Sequence, residues 1–483
     1  MVDILSNDNL NIMIYLFKGR REMQEFMTIV LPKNIELLIS RGEFNKAIKI
    51  IKNILLSRKD LNPMEKKRLT YEIDRLIRIR YDHPYSFDEA LNILRKEIPN
   101  ISENEFKKLM EEKCIDYKII EGEERFYRRF IANLFFLCPK YIEKSVKAKE
   151  RIRKRKEYRK KLVETLNKII LSGEGYRNSR IHKVKMTIKV KPNSVPEGEI
   201  IRCWIPFPRK CLLQPEWKLI SAYPSEYFLA PEDYLQRTIY FEQESRGSKP
   251  TIFEIEYEYK VQSYYRKISA DVIQEYDENS RVFKENVLEK PPHISFTPYL
   301  TRLAWSIVGN ERNPYIKAMK IFKWIIKNIR YAYAYDYSTY LNISEYVARN
   351  KRGDCGMQGL LFITLCRIVG VPARWQSGWY ANPESYGMHD WTQFYVEPYG
   401  WLYADPSFAN SLTKTMGEIG MFYFGNIDYY RLIFNNDISV QFTPEKKYFR
   451  SDMIDSQRGE LEWNEENLYY DKWDYEMKIE LKV

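Results

Sequence analysis

Between Gly353 and Pro372 the chain has little conformational choice. Met357, Leu360, Leu361, Thr364, Leu365 and Ile368 recur at the spacing of one helical face. Gly353 and Asp354 are turn and cap residues, so the helix is expected to open at Asp354 or Cys355. Gly370 can end it, and Pro372 cannot continue it. Cys355 therefore falls in the first turn of a largely buried helix. There the positive end of the helix dipole favours a thiolate. The unpaired backbone N–H groups of that turn are free to hold an oxyanion. Gly356 keeps the approach to the sulfur open.

Nucleophilic thiol chemistry also needs a base and a group that orients it. The chain has histidines at 83, 182, 293 and 389. His389 follows a polar Asn-Pro-Glu-Ser-Tyr-Gly loop and opens a segment that alternates as a strand through Val396. A turn at Pro398-Tyr399-Gly400 and a second strand, Trp401 to Ala404, lead to Asp405. Adjacent antiparallel strands can set an imidazole beside a carboxylate. The carboxylate would fix the tautomer and leave the other ring nitrogen to face the sulfur. A cysteine on an apolar helix is usually a small buried hydrophobe, and Cys366 fits that description. What separates Cys355 from it is the ordered company of His389 and Asp405.

This stretch resembles the transglutaminase-like superfamily. The residues that carry the likeness are Gly-Asp-Cys355, the turn Arg367-Ile-Val-Gly-Val-Pro-Ala-Arg374, His389 before a Trp-containing strand, and Gly400-Trp401 leading to Asp405-Pro406. The resemblance covers roughly Tyr315 to Phe408. The resemblance implies a papain-like fold with Cys355 as nucleophile, His389 as base and Asp405 as orienting acid. Many relatives carry a small residue after the histidine; here it is Asp390. Tyrosines 331, 333, 335, 337 and 340 crowd the approach to Cys355. A phenol there can donate to an oxyanion or wall an acyl-binding cleft, and ordinary packing is the alternative. The likeness of Asp336-Tyr337-Ser338-Thr339 to relatives singles out Tyr337 as the donor. Trp375, Trp379, Tyr380 and Trp391 are expected to give a cleft apolar walls.

The chemistry implied is attack of the Cys355 thiolate on a protein or peptide amide, through a thioester. Hydrolysis is the simpler outcome, which makes the chain a cysteine peptidase or amidase. Transamidation of protein glutamines is the runner-up, and a degenerate site on a binding or assembly protein is the third reading. No Asp-rich calcium loop is evident, and no metal or cofactor is expected.

The remaining chain reads as α+β and multidomain. Residues 1–175 are expected to be mostly helical. Two short helices divide at Arg41-Gly42-Glu43, a longer one covers Met64 to Arg80 with Leu69, Ile73, Leu76 and Ile77 on one face, and Ser102 caps a helix to about Cys114. Asp116 to Arg128 reads as a hairpin around Glu121-Gly122. Residues 180–270 alternate with period two, as in Val184, Met186, Ile188 and Val190, and again in Ile255, Tyr257, Tyr259 and Val261. That pattern argues an antiparallel β-sandwich, and the resemblance also implies a β-domain ahead of the core. Residues 290–483 form the expected catalytic domain, introduced by the amphipathic segment after Asn313-Pro314. The motifs Tyr423 to Asp428, Arg458 to Trp463 and Asn467 to Asp471 are expected to pack around the core and shape the cleft. Met477, Ile479, Leu481 and Val483 alternate as a terminal strand, expected to pair with the β-domain.

The net charge of +12 is concentrated. Lys144 to Lys161 holds eleven basic and two acidic residues, a local +9 that leaves +3 for everything else. Such a run can bind nucleic acid or an anionic surface. Glu150, Arg153, Lys154, Glu157 and Lys161 fall at helical pairing distances, which favours a solvated helix between domains. Six scattered cysteines show no metal-ligand spacing, so neither a zinc site nor a disulfide framework is expected, and a reducing compartment suits them. No run reaches the roughly 20 apolar residues of a membrane helix. The start lacks a basic leader, and Ile12 to Phe17 is too short for one, so the chain reads as cytoplasmic with no membrane partner. The sequence does not fix an oligomeric state.

Overall fold

The computed structural model describes residues 26–482. The Ile12–Phe17 segment weighed above lies outside them. The fold mixes helices with several antiparallel sheets, and it divides into two compact units, each drawn from more than one stretch of sequence.

The first unit comprises Met1–Arg159, Lys290–Ser295 and Asn328–Met357. Several of its helices open on side-chain caps. Asn62 closes a capping box with Glu65 on Pro63–Asp82, and Ser86 does the same with Glu89 on Phe87–Glu97. Ser102 accepts from the Glu105 N–H at the start of Glu103–Glu111. The hairpin is present as Tyr117–Ile120 against Glu123–Phe126. Ile77 departs from expectation: it is exposed, while Leu69 and Leu76 are buried. One apolar cluster gathers Leu91, Leu94, Phe106, Leu109, Phe126 and Phe130, and another Ile35, Phe44, Ile51, Leu69 and Leu76.

Cys114 and Cys138 are joined as a disulfide, where scattered thiols without a disulfide framework were expected. The helices ending at Glu111 and Leu137 bring two cysteines 24 positions apart to a Cα separation of 5.8 Å. That distance lies within disulfide range, and sequence spacing does not reveal it.

This unit also holds the tyrosine-rich segment that precedes Cys355. Tyr71 and Tyr127 donate from their hydroxyls to the carbonyls of Ser338 and Ala334. Arg75 donates to the Thr339 carbonyl at 2.9 Å. Asn133 Oδ1 accepts from the Tyr333 N–H at 2.7 Å, and Asp82 Oδ2 from the Asp336 N–H at 2.6 Å. A segment with little regular structure thus has backbone groups met by buried side chains, as burial requires.

The second unit comprises Lys160–Glu289, Phe296–Lys327 and Gln358–Val483. A four-stranded sheet orders Trp473–Lys482, Gly175–Val190, Thr251–Tyr265 and Glu216–Tyr223. The terminal strand pairs with Ile181–Val190 along its whole length. A second sheet orders Asn467–Leu468, Glu460–Trp463, Ile200–Pro206, Thr238–Glu244 and Phe228–Leu229. Its Phe241 meets Phe253 of the first sheet at 6.1 Å between ring centroids. Glu460–Trp463 and Asn467–Leu468 are strands of this sheet, with Leu461 opposite Cys203. That pairing bridges more than 250 positions and leaves no local signature.

The third sheet orders Phe424–Gly425, Gly400–Ala404, Ser385–Val396, Ala373–Asn382 and Arg431–Asn435. Phe362, on the helix Cys355–Ile368, lies between Phe322 of the helix Pro314–Asn328 and Phe394 of the sheet, 6.0 Å from each. The helix Val146–Leu171 carries the basic run. Arg153 bridges Glu150 and Glu157 along it, and Lys147 and Arg151 meet Glu97. Among the described residues no helix is long and apolar enough to cross a membrane.

Candidate functional site

The helix opens at Cys355 and ends at Ile368, as the cap and the glycine predict. Asp354 Oδ1 accepts from the Met357 N–H at 3.1 Å, capping the turn that carries Cys355. At the other end the Val371 N–H reaches back to the Cys366 carbonyl, and Gly370 takes φ +77°. Cys355 is half-buried, whereas Cys366 is fully buried and its thiol is pushed up by burial.

Tyr337 stands beside this cap. Its hydroxyl donates to Asp354 Oδ1 at 2.6 Å. A phenol has one proton, so in this arrangement Tyr337 supports the cap instead of pointing that proton at an oxyanion. Burial raises the Asp354 carboxyl, and the bonds from Tyr337 and Met357 oppose the rise.

In the second unit Gly359 lets the same helix approach the sheet. A Cβ there would lie 3.1 Å from Thr392 Cγ2 and 3.5 Å from Trp375. Thr392 sits three residues after His389 on the strand Ser385–Val396. That strand begins earlier than expected: Ser385 to Gly387 pair with Tyr380 to Asn382, so most of the predicted loop is hairpin.

His389 Nε2 and Asp405 Oδ2 are 2.6 Å apart. Thr392 pairs with Ala404, which sets Asp405 just past the neighbouring strand and near His389. Asp405 is also the N-cap of Pro406–Met416, with Oδ1 accepting from the Phe408 N–H at 3.0 Å and from the Ser407 hydroxyl at 3.1 Å. Phe408 packs on the imidazole at 4.5 Å between centroids, and Trp391 stacks on it at 5.9 Å. His389 is 5% exposed and Asp405 1%. Nδ1 is the ring nitrogen not engaged with Asp405.

Arg431 completes the group, and local sequence reading missed it. Its Nη1 donates to Asp405 Oδ2 at 2.8 Å and its Nη2 to Asp428 Oδ2 at 2.9 Å. Asp428 also accepts from the Tyr423 hydroxyl at 2.7 Å. The guanidinium lies within 5.5 Å of the rings of Tyr380, Trp391, Phe408 and Tyr423. Burial alone would raise the Asp405 carboxyl. The charges of His389 and Arg431, with the bonds it accepts, instead hold it well below the usual carboxylate range. The available signal was the Phe424-Gly425-Asn426-Ile427-Asp428 turn, three residues before Arg431.

The tryptophans expected to wall a cleft are core residues. Trp375 is 1% exposed and Trp391 0%, and Trp379 and Tyr380 are buried too. Their indole N–H groups are satisfied internally: Trp391 donates to Gln376 Oε1 at 2.7 Å and Trp379 to the Gln457 carbonyl at 2.6 Å. In the first unit Asp116, Tyr335, Tyr346, Arg352 and Met357 line a small cavity of about 10 Å³, and Arg352 pairs with Asp116 at 2.5 Å. Among the described residues one group, Glu112, Cys114 and Cys138, brings three possible metal donors within 4.8 Å. Its two sulfurs are bonded to each other, so neither is a thiolate ligand.

The sequence model of the transglutaminase-like superfamily matches residues 301–406. No curated protein matches the chain. Among solved structures, a candidate cysteine protease from Cytophaga hutchinsonii is similar at 16% identity and a TM-score of 0.42, over 64% of this chain and 92% of that one. The periplasmic domain of TgpA from Pseudomonas aeruginosa is similar at 12% identity and a TM-score of 0.26, over 50% and 92%.

Proposed function

Taking as premise that residues 301–406 belong to the transglutaminase-like superfamily, we propose that the protein is a thiol-dependent acyl-transfer enzyme acting on protein or peptide amides. The observation that carries the reading is the 2.6 Å pairing of His389 Nε2 with Asp405, which supports an imidazole held by the carboxylate with Nδ1 left to act as base. Cys355, at the capped start of its helix, is the nucleophile.

His389 takes the thiol proton, and the thiolate forms a C–S bond to the amide carbonyl carbon. Backbone N–H groups of the first helical turn hold the oxyanion. The imidazolium returns its proton to the nitrogen as the C–N bond breaks, which leaves a thioester and a free amine. Water then attacks, His389 takes its proton, and the thiolate leaves with release of the acid. The same thioester can be taken by a lysine amine, which would be transamidation. Hydrolysis is preferred because it needs no feature that excludes water.

The test is mass spectrometry of a peptide library incubated with the protein and a primary-amine probe. Cleaved peptides that disappear with Cys355→Ala support the peptidase reading. Amine-tagged glutamines lost in the same variant would replace it with transamidation. No product in either channel, with an unreactive Cys355, would leave a binding protein on an enzyme's frame.

A further inference from the structure

Asp390, the unusual residue after the histidine, does not face solvent. It is 5% exposed, and its carboxyl lies beside that of Asp455, which is 2% exposed. Two neighbouring buried carboxyls can hydrogen-bond to each other only with a proton on one of them. The surroundings are built for the pair. Ser377, opposite Asp390 in register, donates to Asp455 Oδ2. Trp375 Nε1 reaches the same oxygen at 3.3 Å, and Asn435 Nδ2 donates to Ser377 Oγ at 3.0 Å. Gln457 ties the pair to the histidine: its Nε2 lies 2.7 Å from Asp390 Oδ1, 3.1 Å from the His389 carbonyl and 3.0 Å from the Gly378 carbonyl.

We propose that Asp390 and Asp455 hold one proton between them and, through Gln457, fix the backbone of His389, which makes both aspartates positioning residues for the base. The inference rests on the role assigned to His389 above. Arg450 donates to the Asp455 carbonyl at 3.0 Å and is itself paired with Glu460. Asp452 accepts from the Asp455 N–H at 3.4 Å, and His389 is the preceding residue on the strand. The strands Ala373–Asn382 and Arg431–Asn435 present the neutral Trp375, Ser377 and Asn435. Burial pushes the Asp455 carboxyl up to about 6, so the pair keeps a proton in mildly acidic solution.

Three measurements on the full chain test this. The first is the infrared difference spectrum at about pH 5, below the native value of about 6, between the protein and the variant with both Asp390→Asn and Asp455→Asn. A protonated-carboxyl stretch lost in the double variant is expected; its absence overturns the shared proton. The second is thermal stability against pH. A carboxyl whose native pKa is raised above the unfolded value of about 3.9 loses stability as pH rises from there to its native value. The protein should therefore lose stability between about pH 4 and 6 through Asp455, and Asp455→Asn should remove that slope. An unchanged slope counts against the pair. The third is kinetics. Asp390→Ala should lower kcat about 100-fold with little change in KM, as for a misplaced base, and Asp390→Asn should restore most of the loss. An unaltered kcat in Asp390→Ala overturns the positioning role. The first two readouts need no catalysis, so they stand whether or not the thiol chemistry is found.

Discussion

Arg431 and His389 bind the same oxygen, Asp405 Oδ2, at 2.8 Å and 2.6 Å. The base is therefore oriented by a carboxylate that is itself neutralised and held from behind. Arg431 is fully buried and divides its fork between Asp405 and Asp428. Arg431→Met should leave two buried carboxylates uncompensated and cost about 3–5 kcal/mol of stability, measured by denaturant unfolding. Arg431→Lys should fall between the two, because one ammonium cannot reproduce the two-armed contact.

Acid should act through Asp405. Its native pKa is depressed, so its contribution to stability is present above the unfolded value of about 3.9 and is lost as pH falls below it. Melting temperature should therefore drop in this acid range, and Asp405→Asn should flatten that part of the profile.

Thiol labelling should be selective. Cys203 and Cys366 are buried with thiols pushed up by burial, and Cys211 is half-buried with its thiol also raised by burial. Cys355 heads a capped helix, where a thiolate is favoured. Iodoacetamide should reach Cys355 first in the folded protein and Cys366 only on unfolding, and His389→Ala should slow the Cys355 reaction. Equal rates at Cys355 and Cys366 would remove the basis for a nucleophile.

Tyr337→Phe separates cap support from a direct oxyanion role. Loss of the bond to Asp354 should cost about 1–3 kcal/mol of stability. A phenol that held the oxyanion would instead show as a fall in kcat of about 100-fold or more. The geometry leads us to expect the first effect to dominate.

Removing residues 473–482 should lower the melting temperature sharply. The strand fills an edge of the four-stranded sheet and buries Trp473, Met477 and Ile479, each worth about 2 kcal/mol on burial. An unchanged melting curve would mean that the sheet tolerates the loss of this edge.

Much of the site was legible because its signals are local. A cap, an apolar face and a glycine stop define the Cys355 helix within about one window of sequence. Alternation and a turn define the two strands that bring His389 to Asp405. Illegible were Arg431, Gln457 and Asp455, whose roles depend on pairings and loop returns across tens of positions. Tyr337 was located by resemblance, but its hydrogen bond could not be inferred. The tryptophans near the site were misjudged for a related reason: composition reports that a ring is apolar, not whether its face meets solvent or Arg431.

By itself, the sequence determined which residues could act and in which elements they stand, since periodicity and capping are short-range properties of the chain. The tertiary structure alone decided what surrounds them. It bonded Cys114 to Cys138, paired Glu460–Trp463 with Ile200–Pro206 and the terminal strand with Gly175–Val190, and placed Arg431 behind Asp405. The physical reason is common to all three. Each depends on groups distant in the chain being desolvated together, and no local pattern encodes which distant partner will share the burial.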